Sequence, residues 1–289
     1  MRLNAIFLGM MLLGGASLPA GADPPRFHCR PDEWKGVRAS LWSADPASID
    51  LYNGALWSVT AGIVSATASP PGDPRWSERN GFDDAFRSAF KLGSDSGRSA
   101  AASASDGLWA VSMAAPLLVD GLVTWSEGHC DQAFHVATHW MESMSLTALL
   151  VTSTKDVAAR KRPGSGDRGS FFSGHAALSA TGAGLLCRDS VKNQIWGTGT
   201  LDQAVPCGLG VAAALATGML RVAADKHWMS DVLVAWTVGG LIGWFDLPGP
   251  FDLLRFRVRG HDGGTRAVGF VAPYSEDDAV GARLSMQFY

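Results

Sequence analysis

Apolar stretches rich in Ala, Leu and Val recur along this chain near residues 50–67, 108–125, 132–155, 172–188, 207–224 and 228–245, each long enough for a helix. Strong stop signals separate them: Ser69-Pro70-Pro71-Gly72, Gly128, Pro163-Gly164-Ser165-Gly166 and Pro248-Gly249-Pro250. Long apolar runs with such punctuation favour helices over strands, because proline removes a backbone donor and glycine releases the chain from regular geometry. The pattern predicts an all-α core, a six-helix bundle. With 289 residues, 47% of them hydrophobic, the chain can bury one sizeable core but has little material for a second full domain.

Between the first two stretches, Phe82, Phe86 and Phe90 recur at spacing four, which predicts a short amphipathic helix. The Ser- and Ala-rich run from Ser94 to Ser105 reads as a flexible segment. After Pro250 the period changes: Leu254-Arg255-Phe256-Arg257-Val258 alternates, as do parts of 266–272 and 281–288, predicting a small C-terminal β appendage. At the other end, Arg2, the apolar run Ile6 to Leu13 and Ala20-Gly21-Ala22 resemble a cleavable secretory signal. The expected organisation is a signal over 1–22, an N-terminal segment with first helix and connector over 23–107, a catalytic core over 108–245 and a β tail over 246–289.

A net charge of −3 offers no global attraction to nucleic acid, and no protein partner is implied. Any anion must be held by locally clustered cations. Four cysteines, Cys29, Cys130, Cys187 and Cys207, in an exported chain permit two disulfides in any of three pairings, and none has the C-x-x-C spacing of a zinc site.

Chemistry gathers in three patches. Lys155 to Pro163 places four cations, Lys155, Arg160, Lys161 and Arg162, at a helix end, where cations also complement the macrodipole. Ser170-Phe171-Phe172-Ser173-Gly174-His175 precedes a helix, where free N–H groups attract an anion. Arg221 to Asp231 puts Asp231 one helical turn after His227, so that carboxylate and imidazole share a face. An oriented histidine beside an arginine is the arrangement expected of a nucleophile or base.

Together these patches resemble the signature of the type 2 phosphatidic acid phosphatase and vanadium haloperoxidase superfamily: K-x6-R-P, then P-S-G-H, then S-R-x5-H-x3-D. Lys155 with Arg162-Pro163 fits the first element, Ser173-Gly174-His175 the second, and Arg221, His227 and Asp231 the third. Phe172 replaces the usual proline and Leu220 the usual serine, both outside the ionisable set. The resemblance implies that His227 attacks phosphorus to give a phosphohistidine, Asp231 holds its imidazole, and His175 protonates the leaving oxygen. Lys155, Arg162, Ser173, Gly174 and Arg221 would hold the phosphoryl oxygens, and no metal cofactor is needed.

Phosphatase action on a lipid phosphate, a polyprenyl pyrophosphate or a small monoester is one class; vanadate-dependent haloperoxidase chemistry, with vanadate as cofactor on the same cations, is another. A nonspecific soluble periplasmic acid phosphatase is a further form of the first. His135, His139 and Glu142 have helical spacings that suit a metal, but a helix separates His139 from Lys155 by about 24 Å, so they read as packing or capping residues. Antiparallel connectivity puts the end of the third helix, both ends of the 155–175 loop and the 221–231 turn at one pole. It leaves Cys187 and Cys207 at the other, predicting the pairs Cys187 with Cys207 and Cys29 with Cys130. The 68–107 connector falls at the active pole, where Trp76, Phe82 or Phe86 can cover the pocket. Marginal helix lengths and Asp120, His135, His139 and Glu142 inside them favour an exported periplasmic protein, soluble or peripherally bound to a membrane surface, over an integral membrane one.

Overall fold

The computed structural model describes residues 46–67, 74–77, 80–245, 247, 249–250 and the strand segments 255–259, 265–276 and 279–288. The expected signal segment and Cys29 lie outside the described residues. The described core is mostly helical. Its helices are α1 (Pro46–Thr67), α2 (Gly81–Phe90), α3 (Asp95–Ala115), α4 (Gly121–Ser126), α5 (Cys130–Ala158), α6 (Gly174–Val191), α7 (Thr200–Ala223) and α8 (Met229–Trp244).

The amphipathic helix expected around Phe82, Phe86 and Phe90 is α2. Asn80 starts it by accepting from the Asp83 N–H, and Phe86 packs onto the core. The Ser/Ala-rich segment is helical, contrary to the flexible reading. Ser94 caps α3 by accepting from the Gly97 N–H, alanine is the best helix former, and Ala101 and Ser105 are buried against the bundle. Low complexity misled here because a helix lying against close-packed neighbours needs small side chains. At Pro116, which has no N–H to donate, the helix continues into α4 through a π turn, Pro116–Asp120, closed by the Gly121 N–H on the Pro116 carbonyl.

α6 is the central helix, packed against α3, α7 and α8 and buried over nearly its whole length. Its contacts are backbone-close. A Cβ on Gly182 would lie 2.1 Å from the Ser112 carbonyl of α3, and one on Gly239 of α8 would lie 2.1 Å from that of Ala177. Only glycine permits these approaches, and they fix the depth at which the start of α6 meets the turn before α8. One cluster of apolar residues at this pole joins Val151, Phe172, Ala176, Val222, Met229 and Val232.

The two loops that carry the chemistry are held by main-chain hydrogen bonds and by α2. α5 ends at Ala159 in the left-handed region (φ 44°), after which the Arg160 carbonyl accepts from the Gly169 and Ser170 N–H groups. Between α7 and α8 the chain turns at Asp225 (φ 59°). That carboxylate is bound by Arg87 of α2 at 2.7 Å and by Lys91 at 3.0 Å. At the opposite pole Cys187 and Cys207 form a disulfide joining the end of α6 to the start of α7, as expected. Cys130 is also disulfide-bonded.

Residues 255–288 form three antiparallel strands in the order β1 (Arg255–Arg259), β2 (Thr265–Glu276), β3 (Ala279–Phe288). Among the described residues, two helical stretches, Asp95–Ser126 and Thr200–Ala223, are long and apolar enough to cross a membrane.

Candidate active site

The three patches meet at the pole expected from connectivity. His227 lies in the turn before α8 and is 3% exposed. Its Nδ1 is 2.8 Å from the Ser170 carbonyl, whereas Asp231 Oδ2 is 3.7 Å away. A carbonyl can only accept, so Nδ1 carries the proton and Nε2 keeps the lone pair. In place of the expected carboxylate hydrogen bond, Asp231 faces the neutral ring at 3.7 Å, and the backbone of the second patch supplies the hydrogen bond that fixes the tautomer.

Asp231 has other partners. Its Oδ1 accepts from Arg160, and its Oδ2 accepts from the Ser170 hydroxyl and from the Trp228 N–H at 3.0 Å. Burial pushes this carboxyl up, but His227, Ser170 and Arg160 outweigh it and hold it below the usual carboxylate range. Arg160, 1% exposed, reaches on to Asp83 of α2 at 2.6 Å and Ser230 at 2.8 Å, and its guanidinium lies 4.1 Å over the Trp76 ring. Trp76 also meets Phe171 at 5.5 Å between ring centroids. Trp76 and Phe86 therefore form the packed wall of this pole, while Phe82 is exposed.

Lys155, in the last turn of α5, sits against the start of α6: a Cβ on Gly174 would be 3.6 Å from its Nζ. Burial lowers the Lys155 ammonium to about 8, with Arg162 and Arg221 pushing the same way and Asp231 opposing. The three cations therefore feel one another. Burial likewise lowers His227 to about 4, aided by Lys155 and Arg162. Four buried donor atoms from the three patches, Arg160 Nε, Arg162 Nε, Ser173 Oγ and Arg221 Nε, have no hydrogen-bond partner among the described residues. Buried donors without partners cost free energy unless an acceptor is supplied, and a phosphoryl group supplies acceptors on several sides.

His175, in the first turn of α6, stacks near Trp109 of α3 at 4.8 Å between centroids. Its Nε2 is 2.9 Å from Asp106 Oδ1, the same oxygen that lies 3.0 Å from Arg221 Nη1. Burial lowers this imidazole to about 4, Arg221 adds to the effect and Asp106 opposes it. Asp83, Arg160, Ser170 and Asp106 were not singled out as site residues by the spacing. For Arg160 a signal existed, its place two residues before Arg162; for Asp83 and Asp106, which come from the connector and α3, there was none.

The free-protein value of Lys155 gives a pH prediction. The cation is lost as pH rises through about 8, so kcat/KM for a phosphate monoester should fall along an alkaline limb near that pH. Lys155→Arg, which stays charged, should remove the limb. A profile of kcat/KM against pH checks both, and a limb that persists in the arginine variant would reassign it.

Elsewhere, Asp50 of α1 with His139 and Glu142 of α5 bring three ligand atoms within 4.8 Å of one another, a set able to hold a metal ion. His139 precedes Lys155 by about 24 Å along α5, so this cluster is separate from the phosphate site. Burial lowers the His139 imidazole to about 3 and keeps it neutral.

Compared with known families, residues 136–251 match the model of the PAP2 superfamily, a span from α5 to just beyond α8. No curated protein matches the chain, and no solved structure does.

Proposed function

We propose, from the match of residues 136–251 to the PAP2 superfamily, that the chain hydrolyses a phosphate monoester or pyrophosphate, carried on a lipid, through a phosphohistidine. The observation that carries this reading is the set of buried, unpartnered donors on Arg162, Ser173 and Arg221, gathered around Lys155. Such a cradle suits the charge that spreads over the equatorial oxygens during phosphoryl transfer.

In this mechanism Lys155, Arg162, Arg221, the Ser173 hydroxyl and the Gly174 N–H grip the phosphoryl oxygens. His227 Nε2 donates its lone pair to phosphorus as the ester P–O bond breaks, and His175 gives its proton to the departing oxygen. The arriving dianion favours the protonated form of His175, offsetting the burial that lowers it. The cationic phosphohistidine is stabilised by Asp231 across 3.7 Å. Water, deprotonated by His175, then attacks phosphorus, breaks the P–N bond and returns His227. The fixed cations do the charge work, so no divalent metal takes part.

Exposed apolar side chains support contact of the protein with a membrane. Leu201, Val205 and Leu209 recur every four residues on α7 at 75%, 53% and 60% exposure, and Val59 and Ile63 do so on α1. Rows of this kind suit contact with a membrane surface. The Cys187–Cys207 disulfide supports an oxidising, exported location.

The test is release of inorganic phosphate by the purified chain in EDTA from phosphatidic acid, undecaprenyl pyrophosphate and p-nitrophenyl phosphate, with and without vanadate. Metal-independent release blocked by vanadate is expected, fastest on a lipid substrate. No release from any of the three, with vanadate instead switching on bromide oxidation by peroxide, would replace the phosphatase reading with the haloperoxidase one.

A further inference from the structure

α3 delivers three residues within about one turn onto the motif residues of two other helices. Ser105 Oγ accepts from Arg221 Nη1 at 3.1 Å, Asp106 Oδ1 lies between Arg221 Nη1 and His175 Nε2, and Trp109 stacks near the His175 ring. A single carboxylate oxygen thus bridges a guanidinium and an imidazole. In the proposed mechanism those two groups serve a phosphoryl oxygen and the leaving oxygen beside it.

We propose that Asp106 is a built-in competitor for the phosphate site: its carboxylate pairs with Arg221 and His175 in the free protein, and substrate binds by displacing it. The inference rests on the phosphatase reading and deepens it, because the competitor sets how tightly anions are held.

Three observations point to competition rather than support of the fold or orientation of His175. Asp106 is 57% exposed while its partner Arg221 is 9% exposed, so the carboxylate reaches inward from solvent. An ion pair with one solvent-exposed partner adds little stability, which makes it cheap to displace. The same carboxylate oxygen is shared between His175 Nε2 and Arg221 Nη1, two groups that would both serve a bound phosphoryl ester, so it stands where an anion's oxygen would.

Monoester and diester must both displace it. A monoester dianion brings two charges and enough oxygens to reach Lys155, Arg162, Ser173 and Arg221 together, more than Asp106 gives back. A phosphodiester brings one charge and fewer free oxygens, and its hold on Arg221 barely exceeds that of the carboxylate it must push aside. Asp106 weakens the hold on both, since the cost of displacing it is the same for either, and its charge opposes the dianion more than the monoanion.

The experiment compares the full chain with Asp106→Asn and Asp106→Ala. Binding of inorganic phosphate and of orthovanadate is titrated by calorimetry, and turnover is followed on p-nitrophenyl phosphate and bis(p-nitrophenyl) phosphate. Both variants should bind phosphate roughly tenfold more tightly, since a like charge next to the site is removed. KM for the monoester should fall in step, with the gain in KM rather than kcat, and the preference for monoester over diester should widen, because the dianion felt the lost charge more. Unchanged phosphate affinity in both variants, or a loss of kcat at constant KM, would overturn the competitor role. Tighter phosphate binding in the variants without hydrolysis by any of the proteins would sink the phosphatase reading and keep the competitor, whereas no phosphate binding by any of them would sink both.

Discussion

His227→Ala is expected to lower phosphate release by roughly a thousandfold or more, because it removes the atom proposed to bond with phosphorus while leaving the cations proposed to hold it. The geometry specifies which nitrogen acts. Nδ1 faces the Ser170 carbonyl at 2.8 Å, so the nitrogen proposed to attack is Nε2. Lys155, Arg162, Ser173 and Arg221 are untouched, so the variant should still bind orthovanadate in a calorimetric titration. Rapid-quench labelling with a substrate carrying radioactive phosphorus should give an acid-labile, base-stable adduct on the wild-type chain and none on the variant. His139→Ala should do the opposite, changing thermal stability through a buried neutral imidazole remote from the site while leaving the adduct in place. An adduct that survives His227→Ala would move the nucleophile elsewhere.

The gathering of these groups at one pole was legible in the sequence because they come in short, fixed spacings. Lys155 to Arg162, Ser173 to His175 and Arg221 to Asp231 each lie within one helix end or one turn, where local geometry decides what meets what. The poles of the bundle were legible for a similar reason: antiparallel helices alternate ends, which placed Cys187 beside Cys207. What could not be read is what comes from far along the chain. Asp106 meets His175 and Arg221, and Asp83 meets Arg160 and Ser230, only because α2 and α3 pack across the site pole. No periodicity encodes that packing. Composition was misleading at 94–105, where serine and alanine signalled a flexible connector and instead form the helix face that carries Ser105 and Asp106. Spacing also overstated the His227 to Asp231 contact: the two share a helix face, yet Arg160, Ser170 and the Trp228 N–H take up the carboxylate oxygens first.

Arg160→Met should be the most destabilising single change at this pole, for a reason separate from catalysis. Asp83 and Asp231 are fully buried, and Arg160 bonds to both. Taking away the guanidinium leaves two carboxylates in a poorly solvated site with no cation between them, a loss of about 3–5 kcal/mol by comparison with other broken buried pairs. The sign of the pH dependence follows. Without Arg160 both carboxyls would titrate higher than in the wild-type fold, so the folded variant would hold protons that the folded wild type has released. Its deficit should therefore be largest near neutral pH and shrink as pH falls through the raised values, whereas a defect of packing alone would not respond to pH in this way. Adding Asp83→Asn removes one of the two stranded charges and should recover part of the stability. It should not recover turnover, because Asp231 would still lack the cation that holds it beside His227. Thermal melts of the single and double variants across pH, paired with kcat on p-nitrophenyl phosphate, measure both effects. A deficit independent of pH and unrelieved by Asp83→Asn would mean that Arg160 acts through its packing on Trp76 rather than through its charge.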